Sequence, residues 1–388
     1  MKPIKLIFVV IFFLSVSYIS GQEMYRKDFR LPEEIFGYKV LKCDFHLHTV
    51  FSDGLVWPTV RVSEAVLEGL DAIAITDHIE SRPIMQSVNV ADKMSHDLGY
   101  KLAKPAAEAS GIILIPAVEI TKEVPPGHFN ALFINDFNRF AETMDLEHPR
   151  DGSFIRKALD EARRQNAFIF WNHPWYQVPN SESIWFPIID SLYNEGYIDG
   201  IEVVNATKYD PIILGWVQSK NLANIANSDL HRSSDYGGES RVRTMTIVFA
   251  KERSAESIRE ALDNRRSVSY CYGGMMIGDK HFLNEMFHRS VEIKAEGDGK
   301  NSGVLIIRNN SSIQFDLQFI NRDGLRISTF TGGLTVPPLG ETAVNISYSE
   351  GFAQRNVFNI GIKVNNFEVA PDTRLETSFQ ITMKKNVN

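Results

Sequence analysis

At 388 residues, with 44% hydrophobic and 23% charged side chains, the chain has a globular composition and length enough for two domains. A formal net charge of −7 gives no basic face of the kind that displaces counterions from phosphates, so a long nucleic-acid partner is not expected. Cys43 and Cys271 are too few for a disulfide framework and read as two buried thiols, the alternative being one bridge between them.

Along the chain, Lys2 and Lys5 precede an apolar run at 6–16, and Ser20 and Gly21 precede Gln22. This is the pattern of a cleaved signal peptide over residues 1–21. The run is shorter than the ~20 residues a spanning helix needs. The mature chain is therefore expected to be secreted or periplasmic, without a stable membrane span. Between 37 and 275, apolar runs at 40–46, 72–76, 112–118, 129–134, 168–171, 200–204, 223–226, 245–250 and 267–272 predict strands. They alternate with amphipathic segments such as FIRKALDEARRQN and SAESIREALDNRR, the second opening on Ser254 as N-cap with Ser257 at the capping-box position. Apolar strands alternating with helices predict a parallel sheet covered on both faces, and this many units predict an α/β barrel. Residues 276–290 read as a linker. From 291 to 388 the period becomes two, as in Phe315/Leu317/Phe319, Val344/Ile346/Tyr348, Phe358/Ile360/Ile362/Val364 and Phe379/Ile381/Met383, which predicts a small all-β immunoglobulin-like sandwich.

Strand after strand in the first part ends in a metal-binding residue type. His46 and His48, two apart on an extended run, share one face, and Asp53 follows on the loop. ITDH supplies Asp77 and His78, AVEIT supplies Glu119, GHFN supplies His128, NHP supplies His173, and SDLH supplies Asp229 and His231. Six of the ten histidines thus fall on the C-terminal rim of the expected barrel, where such folds build their sites. Imidazole and carboxylate donors without thiolate suit Zn²⁺, Mn²⁺ or Fe²⁺ rather than a closed structural zinc site.

The ordered set DFHLHTVFSDG, ITDH, AVEIT, GHFN, NHP and SDLH resembles the PHP (polymerase and histidinol phosphatase) metallophosphoesterases over about residues 40–275. The resemblance implies a distorted seven-unit TIM-like barrel, the PHP fold, with three divalent ions. One would take His46, His48, Glu119 and Asp229. A second would share Glu119 with Asp53 and His78, and a third would take His128, His173 and His231. Asp77 either accepts the second N–H of His78 or caps a helix. Lys122, Arg232, Arg241 and Arg243 are candidates to hold substrate phosphate oxygens, Arg241 and Arg232 first, and His231 or a metal-bound water could supply the proton for the leaving group. Trp57, Trp175 and Tyr176 either wall the pocket or pack in the core. The leading expectation is an exported phosphoesterase that hydrolyses a small-molecule phosphate ester with metal-activated water. An amidohydrolase-like enzyme acting on an amide or lactone is one alternative, although no lysine at a strand end suits its bridging role. A non-catalytic exported metal- or ligand-binding protein is the other.

Overall fold

A computed structural model describes residues 29–83, 95–143, 152–234, 243–297, 301–329, 332–348, 355 and 357–385. The signal peptide expected at 1–21 and Arg241 lie outside the described residues.

The first part runs β1 (Glu34–Ile35), β2 (Tyr38–Asp44), α1 (Pro58–Leu67), β3 (Ala72–Ile75), α2 (Leu98–Ser110), β4 (Ile113–Ile120), β5 (Phe129–Leu132), α3 (Gly152–Arg164), β6 (Phe168–Trp171), α4 (Pro187–Asn194), β7 (Gly200–Asn205), β8 (Lys208–Tyr209), α5 (Pro211–Ser219), β9 (Ala223–Asn227), β10 (Met245–Ala250), α6 (Ala255–Asp263), β11 (Ser267–Cys271), β12 (Met275–Gly278) and α7 (Lys280–Ser290). Helices α1, α4 and α5 open on proline, whose missing N–H has no partner to lose in a first turn. Asp210, Ser254 and Asp279 cap α5, α6 and α7 by accepting backbone N–H groups, Ser254 from Ser257.

Strands β2, β3 and β4 pair in parallel, as do β6, β7 and β9, each crossing carried by a helix wherever strands neighbour in parallel. The expected all-parallel sheet is not what forms. Strand β5 lies antiparallel to both β4 and β6, and β10 lies antiparallel to β2 and to β11. The link 121–128 holds no helix, so the chain can only turn back on itself there. The two ends of the order β2 to β9 meet just past their strands, where Leu47 bridges Leu230 in parallel and the Asp229 N–H donates to the His46 carbonyl at 3.1 Å. Both cysteines are buried and free.

The second part runs β13 (Val291–Gly297), β14 (Ser302–Asn309), β15 (Phe315–Asn321), β16 (Arg326–Ile327), β17 (Gly333–Val336), β18 (Glu341–Ser347), β19 (Val357–Ala370) and β20 (Thr373–Lys385). One sheet joins β16, β18, β14, β13 and the end of β20. The other joins β17, β15, β19 and β20. Residues 276–290 are not a bare linker. Strand β12 pairs with β11 on one side and with β19 on the other, Met276 opposite Phe367, so the sheet runs on from the first part into the second. Helix α7 sets Phe287 edge-on against Phe315, Phe367 and Phe379, with centroids at 5.1, 6.3 and 5.7 Å. A buried phenylalanine of this kind stabilises by about 1.5–3 kcal/mol, and one apolar cluster includes Phe249, Tyr270, Phe287 and Ile360 together.

Candidate metal centre

His46 and His48 follow β2, Glu119 closes β4, and Asp229 follows β9; the first three are wholly buried. The Nε2 atoms of His46 and His48 are 3.1 Å apart, and each lies 3.2 Å from Glu119 Oε2 and 3.2 Å from Asp229 Oδ1. Separations of about 3.2 Å are those of neighbouring donors that each sit ~2.0 Å from a shared ion, the length of a zinc–nitrogen or zinc–oxygen bond. Asp229 Oδ1 is buried and accepts no hydrogen bond. Such an orphaned oxygen facing two imidazole nitrogens is what a cation would satisfy, so these residues fit a divalent metal.

Around this core the other donors converge. His78 Nε2 is 3.4 Å from Asp53 Oδ2, and His231 Nε2 is 3.4 Å from Asp53 Oδ1. His128 Nδ1 and His173 Nε2 lie 3.0 and 3.7 Å from Glu119 Oε1. Among the described residues, four overlapping groups have ligand atoms within 4.8 Å of one another: His48/Asp53/His78/His231, His46/Glu119/His173, His46/His48/Asp229 and His78/Glu119/His128. The expected set of His128, His173 and His231 is thus regrouped. His231 stands with His48, Asp53 and His78, its ring stacked on His48 at 4.1 Å, because the bridge at Leu230 brings its loop beside the first strand. His173 and Asp229 hold left-handed backbones, φ +27° and +51°, steadied by the His173 N–H on Glu202 Oε2 (2.9 Å) and the Asp229 N–H on His46 O.

Charge in the cluster is strongly coupled. Burial opposes the charge of His48, but Asp229 and Glu119 overcome it and push the imidazole up to about 9; His46 is raised the same way. Burial likewise works against Glu119, Asp229 and Asp53, yet the surrounding imidazoles hold all three well below the usual carboxylate range. His128 is lowered, chiefly by burial.

Several residues that sequence reasoning missed fix the donors. Glu202 on β7 accepts from His46 Nδ1 at 2.8 Å, from Asn227 Nδ2 at 2.8 Å and from Asn205 Nδ2 at 2.9 Å. That leaves His46 Nε2 free to ligate. Asn172 Nδ2 donates to Glu119 Oε1 at 2.9 Å, and Thr121 Oγ1 bonds His78 Nδ1. The signal was there: a glutamate in the middle of the apolar strand GIEVVN needs a partner. Asp77 takes neither of its two expected roles. It accepts from the Thr49 N–H (2.7 Å) and the hydroxyls of Thr49 (2.6 Å) and Ser52 (2.8 Å), bracing the loop after His48.

The expected phosphate-holding residues divide. Arg243 is buried and turned away from the cluster toward acidic partners, its Nε 2.6 Å from Glu68 Oε2 and its Nη1 3.4 Å from Asp44 Oδ2. Lys122 is buried with Nζ unpartnered among the described residues, and Arg232 is exposed on the loop after His231. A pocket of about 140 Å³ opens over the cluster, lined also by Trp175, Tyr176 and Asn205. Trp57 packs on Phe51 instead and is not among the lining residues.

No protein-family model matches the sequence, and no curated protein does. Among solved structures the chain is similar to a two-domain protein from Bacteroides vulgatus described as containing a predicted PHP-like metal-dependent phosphoesterase. The two are 39% identical with a TM-score of 0.81, over 92% of this chain and 99% of that one. A candidate metal-dependent phosphoesterase from Bifidobacterium adolescentis is 17% identical, with a TM-score of 0.40 over 57% of this chain and 96% of its own. An amidohydrolase from Chromobacterium violaceum is 15% identical, with a TM-score of 0.36 over 50% of this chain and 88% of its own.

Proposed function

Since the chain belongs to the PHP-like metal-dependent phosphoesterases, we propose that it hydrolyses the phosphate ester of a small molecule at a site for three divalent cations. The observation that carries this reading is the convergence of His46 Nε2 and His48 Nε2 on both Glu119 Oε2 and Asp229 Oδ1 under an open pocket. A second cation would use Asp53, His78 and His231, and a third Glu119, His128 and His173. Bound there, cations would bring the pKa of water toward neutrality and offset charge on the phosphoryl group.

The protein's own groups set the stage for that chemistry. Glu202, Thr121 and the Asp229 carbonyl occupy the Nδ1 atoms of His46, His78 and His231, so each ring presents Nε2 to the cluster. His231 therefore serves as a ligand in our reading, offering the Nε2 lone pair and not a proton. The pocket admits a phosphoryl group while the leaving group stays toward Tyr176 and solvent. Among the described residues no lysine lines it, which removes the bridging group of amidohydrolase-type chemistry. Export through residues 1–21 and an immunoglobulin-like accessory role for the second part complete the proposal.

Elemental analysis of reconstituted protein, paired with phosphate release from a metabolite panel, tests it. At least two transition-metal equivalents and release abolished in Glu119→Gln are expected. Fewer than two equivalents, or a metal-loaded protein that leaves every phosphate ester intact, overturns the reading.

A further inference from the structure

Arg61, in α1, has no exposed surface. Its Nε donates to the carbonyl of His48 at 2.9 Å, Nη2 to the carbonyl of Leu230 at 2.7 Å, and Nη1 to the carbonyl of Arg232 at 2.8 Å and to Glu64 Oε2 at 2.7 Å. Two of those carbonyls flank His231 and the third belongs to His48, whose ring stacks on that of His231. Glu64 grips the same loop further on, its Oε1 accepting the Ser234 N–H at 2.8 Å. Below it Arg243 Nη2 lies 3.6 Å from Glu64 Oε2, so the guanidinium of Arg61 belongs to a wholly buried ionic network.

A buried ion network is a poor device for stability alone, because well-packed apolar side chains of similar volume commonly do as well or better. What a guanidinium adds is direction: a rigid planar fork that holds several acceptors at fixed spacing, which a lysine on a flexible stem cannot do. We infer that Arg61 is a positioning residue for the metal centre. It sets the distance between the loop after β2 and the loop after β9, and with it the meeting of His48 and His231 with Asp53 and His78. This inference rests on the cluster being a metal site.

The test uses the full chain with Arg61→Gln and Arg61→Lys, and Arg374→Gln as control. Arg374 also partners a buried carboxylate, Glu368, but in the all-β part. Zn²⁺ affinity by competition with a chelating dye, the visible spectrum of the Co²⁺-loaded protein and the thermal midpoint are read for each. Arg61→Gln is expected to weaken binding of at least one cation 10–100-fold and to shift the Co²⁺ spectrum. Arg61→Lys should recover part of that, and Arg374→Gln should lower the midpoint while leaving both metal readouts unchanged. Wild-type affinity and spectrum in Arg61→Gln, or metal loss that merely follows the midpoint in all variants, overturns the inference. If Arg61→Gln does not fold, Arg61→Lys decides by the same readouts. A wild-type chain that binds no Zn²⁺ would instead sink the reading of the site itself.

Discussion

Replacing Gly99 by alanine should destabilise the protein, although the same change inside a helix ordinarily gains up to about 1 kcal/mol. Gly99 lies in the first turn of α2, and a Cβ there would stand 2.4 Å from Asp77 Oδ2 and 3.3 Å from Ile75 Cγ2. Ordinary contact begins at 3.4 Å, so the carboxylate or the helix must yield by about 1 Å. The carboxylate cannot yield freely, since Oδ2 accepts the Thr49 hydroxyl and Oδ1 the Thr49 N–H and the Ser52 hydroxyl. Losing one such charged hydrogen bond costs about 1.5–3 kcal/mol. Against the helix gain, the net loss is about 0.5–2 kcal/mol. Urea unfolding of metal-loaded protein reads it as a lower midpoint at unchanged slope. Because Ser52 Oγ also faces His48 Nδ1 at 3.3 Å, metal affinity should fall in the same variant. A Gly99→Ala protein at least as stable as wild type would refute the reasoning.

Three further outcomes are expected. Glu202→Gln, which no longer holds His46 Nδ1 with a charge, should weaken metal binding 10–100-fold in a chelator competition while leaving the fold intact. In metal-free protein, His48 has a folded pKa raised to about 9 from 6.5, so its imidazolium contributes stability fully present below pH 6.5 and lost as pH rises through 9. The loss from His48 is roughly 3 kcal/mol; urea titrations in EDTA should show it, and a flat or rising curve would contradict it. Arg243→Met leaves the wholly buried carboxylate of Asp44 and the half-buried one of Glu68 without their cation and should cost about 3 kcal/mol without raising KM. A raised KM at unchanged stability would place Arg243 at the substrate after all.

Much of the architecture can be read from periodicity. Short apolar runs bounded by turn residues became strands close to where the pattern sets them, because buried strands tolerate little else. His46, His48, Glu119 and Asp229 were legible as rim residues because each ends a strand, while their grouping on one ion came from the resemblance. The path of a loop is less so. His231 joins Asp53 and not His128 because of a backbone bridge at Leu230, a contact no local pattern encodes. Asp77 shows a rule left unused: successive residues on an extended chain face opposite ways, so the neighbour of a ligand rarely reaches that ligand's ring. Arg243 was expected at substrate phosphate oxygens, and its actual partners Asp44, Glu64 and Glu68 lie too far back in the chain for a local pattern to reveal them. Helix α7, by contrast, carried its own signal in Asp279 as a cap and Leu283, Met286 and Phe287 at helical spacing.

The pairing of β12 with β19 leaves this molecule without a seam. Strand β12 also receives the Asn224 side-chain amide, on β9, through the Ile277 carbonyl at 3.0 Å. Asp229 lies just past the end of that same β9, so the C-terminal part works as a buttress standing directly behind the wall that bears a ligand. Cutting the chain at residue 290 would not free a tidy enzyme; it would bare an apolar strand edge, ready to recruit foreign strands. A graft of the first part onto another scaffold has to bring its buttress along.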